Sequence, residues 1–207
     1  MPTRRTARPQ SPAASSPLLF TPTRVFFVSG TGVHKEERVA TQHAMREAGV
    51  ADMNLVKVSS VIAPGCTIIP AEEGRALLKP GAMAFAVIAT AQTAEPHQRI
   101  AVALAWAKPD KDGCPGYIAE LEEDMARGMT ADKATDEAGE DVVQIMAEKL
   151  RATVDAEKVW AKRGRAGRVR IGSTDVHVGS IAAEHTAPEE INDEKKTVAV
   201  FAAAIYL

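Results

Sequence analysis

Residues 197–206 read Thr-Val-Ala-Val-Phe-Ala-Ala-Ala-Ile-Tyr. After the leading threonine there is no alternation of wet and dry positions, so this segment reads as a central strand with both faces covered. A sheet covered on both faces requires a layered fold. Upstream, Arg-Val-Phe-Phe-Val-Ser at 24–29 is a compact β-rich run, expected to stop at Gly30-Thr31-Gly32. Residues 35–49 carry Val39, Ala40, Ala44, Met45 and Ala48 at three- and four-residue steps, with Gly49 as a stop, which predicts an amphipathic helix laid on a sheet. Residues 54–62 read as one strand, interrupted by Ala63-Pro64-Gly65. Further strands are expected at 67–69, 82–89, 99–106, 117–121 and 179–184, separated by turns such as Lys79-Pro80-Gly81. The longest helical pattern runs from Thr130, a suitable N-cap, to about Val154, with Val142, Val143, Met146 and Leu150 as its apolar stripe. Strands with long helices give an α/β or α+β sandwich.

The 207 residues are 45% hydrophobic and 25% charged, which excludes wholesale disorder. A formal net charge of -2 offers no general attraction for nucleic acid or an anionic membrane, so neither is expected as a partner. Cys66 and Cys114 form neither a CxxC nor a framework pattern, which points to a reducing, cytoplasmic setting. With only 4% aromatic residues, the core must be built from Ala, Val, Ile, Leu and Met. Residues 1–22 are rich in Pro, Ser and Arg, and their one apolar stretch is too short for a signal core or a span. Their composition predicts a disordered tail before a single domain over 23–207. The basic residues of 158–170 lack interleaved aromatics and read as a solvated loop rather than a nucleic-acid surface.

Several familiar chemistries fail on spacing. Gly30-Thr31-Gly32 follows a strand, but Lys35 stands where a dinucleotide fingerprint needs its third glycine. His34, His43, His97, His177 and His185 show neither HExxH nor Cys/His ligand spacing, so no metal is expected. GxSxG and GxxxxGK[ST] are both missing.

What remains is Asn54-Leu55-Val56-Lys57-Val58-Ser59-Ser60-Val61-Ile62-Ala63-Pro64. Taken alone, two serines at the end of an apolar strand read as a strand end whose hydroxyls bond to backbone. The segment nevertheless resembles the self-processing site of pyruvoyl-dependent arginine decarboxylases, an Asn-Leu-x-x-x-Ser-Ser-x-x-x-Pro stretch cut between its serines. Gly116-Tyr117-Ile118-Ala119-Glu120 is similar to that family's strand bearing a catalytic glutamate. Residues 180–186, Ser-Ile-Ala-Ala-Glu-His-Thr, and Phe201-Ala202-Ala203-Ala204 resemble its closing strands. The similarity runs collinearly from about Thr23 to Leu207.

The resemblance implies an α+β, four-layer αββα sandwich formed from a self-cleaved precursor. Ser60 Oγ would attack the carbonyl of Ser59, turning amide into ester, with the Asn54 amide as a candidate oxyanion donor if the chain bends enough to bring it close. β-Elimination would leave Ser59 as a new C-terminus and Ser60 as dehydroalanine, which water converts to a pyruvoyl group and ammonia. The products would be a β chain of residues 1–59 and an α chain of residues 60–207. The cofactor is thus a covalent pyruvoyl group derived from Ser60, an electron sink for decarboxylation in the place pyridoxal phosphate fills elsewhere.

Glu120 matches the family's proton donor, and burial on an apolar strand is expected to raise its pKa. Glu122 would share its strand face, and with Glu123 it keeps a solvated acidic edge open as the alternative. His185 reads as a structural histidine. In the family an aspartate binds the substrate guanidinium; the matching position holds Gln42, which lacks the negative charge and the bidentate fork. Glu37, Glu47 and Asp52 are nearby acids that could compensate. Backbone carbonyls around Ala51 and Met53 match positions that also face the guanidinium. The implied activity is conversion of L-arginine to agmatine and carbon dioxide, serving polyamine biosynthesis, in a homo-oligomer that is a trimer of αβ protomers with sites between neighbours. Decarboxylation of a different amino acid, or a non-catalytic homologue of the same fold, are the alternatives.

Overall fold

The computed structural model describes residues 20–122, 125–163, 167–189 and 195–207. The disordered tail expected over 1–22 therefore lies almost wholly outside the described residues. The chain is α+β, with two five-stranded sheets and four helices among the described residues, an arrangement compatible with an αββα sandwich. In chain order the elements are β1 (Arg24–His34), α1 (Glu37–Ala48), β2 (Asn54–Lys57), β3 (Val61–Ile62), β4 (Thr67–Ile68), α2 (Ala71–Leu77), β5 (Met83–Thr93), β6 (Arg99–Pro109), β7 (Gly116–Leu121), α3 (Ala131–Lys149), α4 (Ala156–Ala161), β8 (Arg168–Ile171), β9 (Thr174–Thr186) and β10 (Thr197–Tyr206).

The first sheet has the order β2-β5-β10-β1-β4 and the second β3-β7-β6-β9-β8. β10 is central in its sheet and buried along its whole length, as its unbroken apolar run requires. Val198, Val200, Ala202 and Ala204 face the second sheet, where they meet Val102, Leu104 and Ile118. Ala199, Phe201, Ala203 and Ile205 pack with Ala40, Ala44 and Ala48 of α1. On the far side, α3 lays Ala134, Ala138, Val142 and Met146 on Ala101, Ala103 and Ala105 of β6. The few aromatics sit where they fill most volume: Phe27 and Trp106 stack between the sheets with ring centroids 3.9 Å apart.

Three expectations are corrected. β1 does not stop at Gly30-Thr31-Gly32 but runs on to His34, paired with β10 throughout. The glycines serve packing: a Cβ on Gly30 would lie 2.3 Å from the Ala44 carbonyl oxygen, and one on Gly32 would lie 2.1 Å from that of Ala40. Their bare faces let α1 approach the strand closely.

The single strand expected over 54–62 is two short strands in different sheets, β2 and β3. Val58 and Ile62 pack into the core between the sheets. The link thus crosses from one sheet to the other and leaves its serines at the edge.

The basic stretch 158–170 is not a loop at its described ends. It contributes to α4 and β8, anchored by Trp160, which is buried against Gly139 of α3. Four of its cations have acidic partners: Lys158 with Asp155, Arg163 with Asp136, Arg168 with Asp110 and Arg170 with Asp175.

Candidate active site

The link from β2 to β3 consists of Val58, Ser59 and Ser60. β2 runs parallel to β5 in one sheet, and the Val58 N–H extends that ladder by donating to the Ala86 carbonyl at 2.9 Å. β3 pairs antiparallel with β7 in the other, Val61 opposite Tyr117. The three backbone carbonyls from Ser59 to Val61 each have a partner. The Ser60 carbonyl accepts from the Ile118 N–H at 2.9 Å, the Val61 N–H donates to the Ser59 carbonyl at 2.9 Å, and the Tyr206 hydroxyl donates to the Val61 carbonyl at 3.0 Å. The i to i+2 bond from Val61 to Ser59 closes a three-residue turn at Ser60.

That turn aims the Ser60 hydroxyl at Glu120 on β7, where it donates to Oε1 and Oε2, each at 2.8 Å. Alternation along β7 explains the geometry. Ala119 and Leu121 pack toward α3, while Ile118 faces the core between the sheets and Glu120 shares its side. Burial pushes the Glu120 carboxyl above the usual carboxylate range. The Ser60 hydrogen bond opposes this, Glu122 adds to it, and Lys57 opposes it again. Ser60, Glu120, Asp141 and Gln144 line a cavity of about 470 Å³, open for a small molecule to reach the hydroxyl. A carbonyl group formed at Ser60 would therefore sit beside a half-buried acid and an accessible space, so the residues fit the implied group.

A family model described as pyruvoyl-dependent arginine decarboxylase matches residues 24–207. The chain belongs to that family. Its relatives include pyruvoyl-dependent arginine decarboxylase 2 of Methanosarcina mazei, 39% identical over 147 residues that cover 69% of this chain and 76% of the relative. The pyruvoyl-dependent arginine decarboxylase of Nitrosopumilus maritimus is 30% identical over 186 residues, 89% of this chain and 96% of the relative. That of Methanococcoides burtonii is 37% identical over 148 residues, 70% of this chain and 78% of the relative. Family membership implies a covalent pyruvoyl group as cofactor.

Of the other residues singled out in the sequence, Asn54, Gln42, Ala51 and Met53 make their contacts elsewhere. Asn54 opens β2, and its side-chain amide donates to the Gly81 carbonyl at 2.7 Å, so within one chain it is not turned to Ser59. Gln42 is exposed on α1, and its amide meets Met45 Sδ at 4.0 Å. Ala51 and Met53 line a separate cavity of about 220 Å³ together with Asp52, Arg46 and Arg75. Of the acids near Gln42, Glu47 is committed to β1, accepting from the Thr31 N–H at 2.5 Å and its hydroxyl at 2.9 Å. Glu122 lies just past β7 and pairs with Lys57 at 2.5 Å, while Glu123 is outside the described residues. His185 Nδ1 is 2.8 Å from the Thr186 carbonyl.

Two side chains at the site were missed. Tyr206 is buried, and its phenol is pushed up by burial and by Cys66 and Glu120. Its sole signal was a polar tip at the end of an apolar run. Lys57 was visible as a lone cation in an otherwise apolar strand.

No helix of the described residues is long and apolar enough to cross a membrane.

Proposed function

We propose that the chain is a self-processing pyruvoyl-dependent decarboxylase that converts L-arginine to agmatine and carbon dioxide. The observation that carries this reading is the contact of the Ser60 hydroxyl with both oxygens of Glu120, at the link where the chain changes sheets. Ser60 Oγ attacks the Ser59 carbonyl, and the Val61 N–H at 2.9 Å is already aimed at the oxygen that takes up negative charge. Cleavage yields chains 1–59 and 60–207 of one domain over 23–207. The covalent group left at Ser60 supplies an electron sink for loss of carbon dioxide. Glu120 holds the proton that returns to the substrate carbon, and its raised pKa keeps that proton bound at higher pH than an ordinary carboxyl would.

Asn54, Gln42, Ala51 and Met53 act from a neighbouring protomer. Supporting this, Ala51 and Met53 line a cavity separate from that of Ser60 and Glu120, so one chain does not assemble the whole set. The working form is a trimer of αβ protomers in the cytoplasm, with small-molecule amino-acid substrate bound between neighbours.

A second reading, a different amino acid as substrate, draws on Gln42 and on Arg46 and Arg75. These arginines share the cavity of Ala51 and Met53, where they work against a guanidinium. Intact mass spectrometry after native incubation, followed by carbon dioxide release across free amino acids, tests both. A single uncut chain rejects self-processing. Release from another amino acid and none from arginine selects the second reading.

A further inference from the structure

Lys57 ends β2 in the first sheet, and Glu122 follows β7 in the second. Their side chains meet with Nζ to Oε1 at 2.5 Å, bridging the two sheets beside the Ser59–Ser60 bond. We propose that Lys57 and Glu122 are positioning residues of the decarboxylation step: their ion pair ties the end of the short chain to the strand bearing Glu120 and balances the charge around its carboxyl. The proposal rests on the self-processing reading above.

Cutting after Ser59 places Lys57 on the short chain and Glu122 on the long one, so the pair becomes a link between chains. The last ladder bond before the cut is from the Val58 N–H to Ala86, and the ion pair adds a side-chain tie at the neighbouring residue. Its two charges act on Glu120 in opposite senses, Glu122 raising its pKa and Lys57 lowering it. The remaining groups around Glu120 are common to all the variants below. Asp141 of α3 and Tyr117 of β7 line its cavity, Tyr206 of β10 is close enough to be influenced by both Glu120 and Cys66, and the new Ser59 carboxylate ends the short chain. Burial pushes the Tyr206 phenol and the Cys66 thiol up, so both stay neutral where Glu120 titrates.

The test compares the processed enzyme with Glu122→Gln, Lys57→Met and the double variant, following kcat for carbon dioxide release against pH. The activity lost on the basic side reports deprotonation of the acid in the substrate complex. Glu122→Gln leaves Lys57 unopposed and moves that limb to lower pH. Lys57→Met leaves Glu122 unopposed and moves it to higher pH, and the double variant returns close to wild type. Each shift should be roughly 0.2–0.7 of a pH unit, as fits an exposed pair, and should shrink in high salt. A merely structural tie would lower thermal stability without opposed shifts. Limbs that stay still or move together in cleaved, active enzyme overturn the proposal and leave the decarboxylase reading standing. Single variants that fail to self-cleave also overturn it, because the pair is assigned to the later step. An uncut wild type overturns both.

Discussion

The Ser60 hydroxyl donates to both carboxylate oxygens of Glu120, each at 2.8 Å, although the two residues are 60 positions apart. One comes from the link between sheets and the other from β7, joined locally by the bond from the Ile118 N–H to the Ser60 carbonyl. The contact suits two successive tasks of different groups: the hydroxyl attacks its own chain, and once it has been consumed the half-buried acid is left to deliver a proton to the product.

Ser60→Ala removes the nucleophile and should leave a single uncut chain of 207 residues by intact mass spectrometry. Cleavage in this variant would reject Ser60 as the attacking group.

Glu120→Gln keeps an oxygen to accept the Ser60 hydrogen bond but has no acidic proton to give. Cleavage should persist, while kcat falls by about 100-fold or more, the usual contribution of a positioned acid. Mass spectrometry and carbon dioxide release on one preparation separate these outcomes.

The pH profile follows from the direction of the Glu120 shift. The group must be protonated to act, and burial raises its pKa, so activity should survive above the pH at which an exposed glutamic acid has lost its proton. It should decline as pH passes through the raised value. A basic limb at the ordinary glutamate pKa would contradict the assignment.

Gln42→Asp restores a charged partner for a guanidinium. If arginine is the substrate, its KM should fall by about tenfold, corresponding to the added strength of a charge-assisted bond. An unchanged KM for arginine would show that Gln42 does not face the guanidinium.

Gly32→Val tests the close packing of α1 on β1. Its Cβ would meet the Ala40 carbonyl 2.1 Å away, and backbone cannot swing aside as a side chain can. Destabilisation of about 1–3 kcal/mol or more is expected in denaturant unfolding.

Local pattern made much of this fold legible. The apolar run at 197–206 required two covered faces, and β10 is central and buried throughout. Thr130 was readable as a cap, and its side chain accepts from the Lys133 N–H. Gly49 ends α1 at a φ of 79°, as a left-handed stop requires. The short helices α2 and α4 were not expected. Seven or fewer residues carry too little periodicity to stand out, and α4 depends on Trp160 finding a bare glycine on α3.

By itself the sequence determined which segments must be buried, through apolar periods that need no knowledge of a partner. It also marked Ser59-Ser60 and Glu120 by resemblance. Tertiary structure decided what depends on contacts distant in sequence. It carried β1 through its glycines to receive a helix, and it split residues 54–62 between two sheets. It bound the Asn54 amide to Gly81, and it gave Glu120 the serine and Glu122 the lysine. Periodicity fixes the side of a strand on which a residue lies, but only packing brings a particular hydroxyl within hydrogen-bond reach of a particular carboxyl.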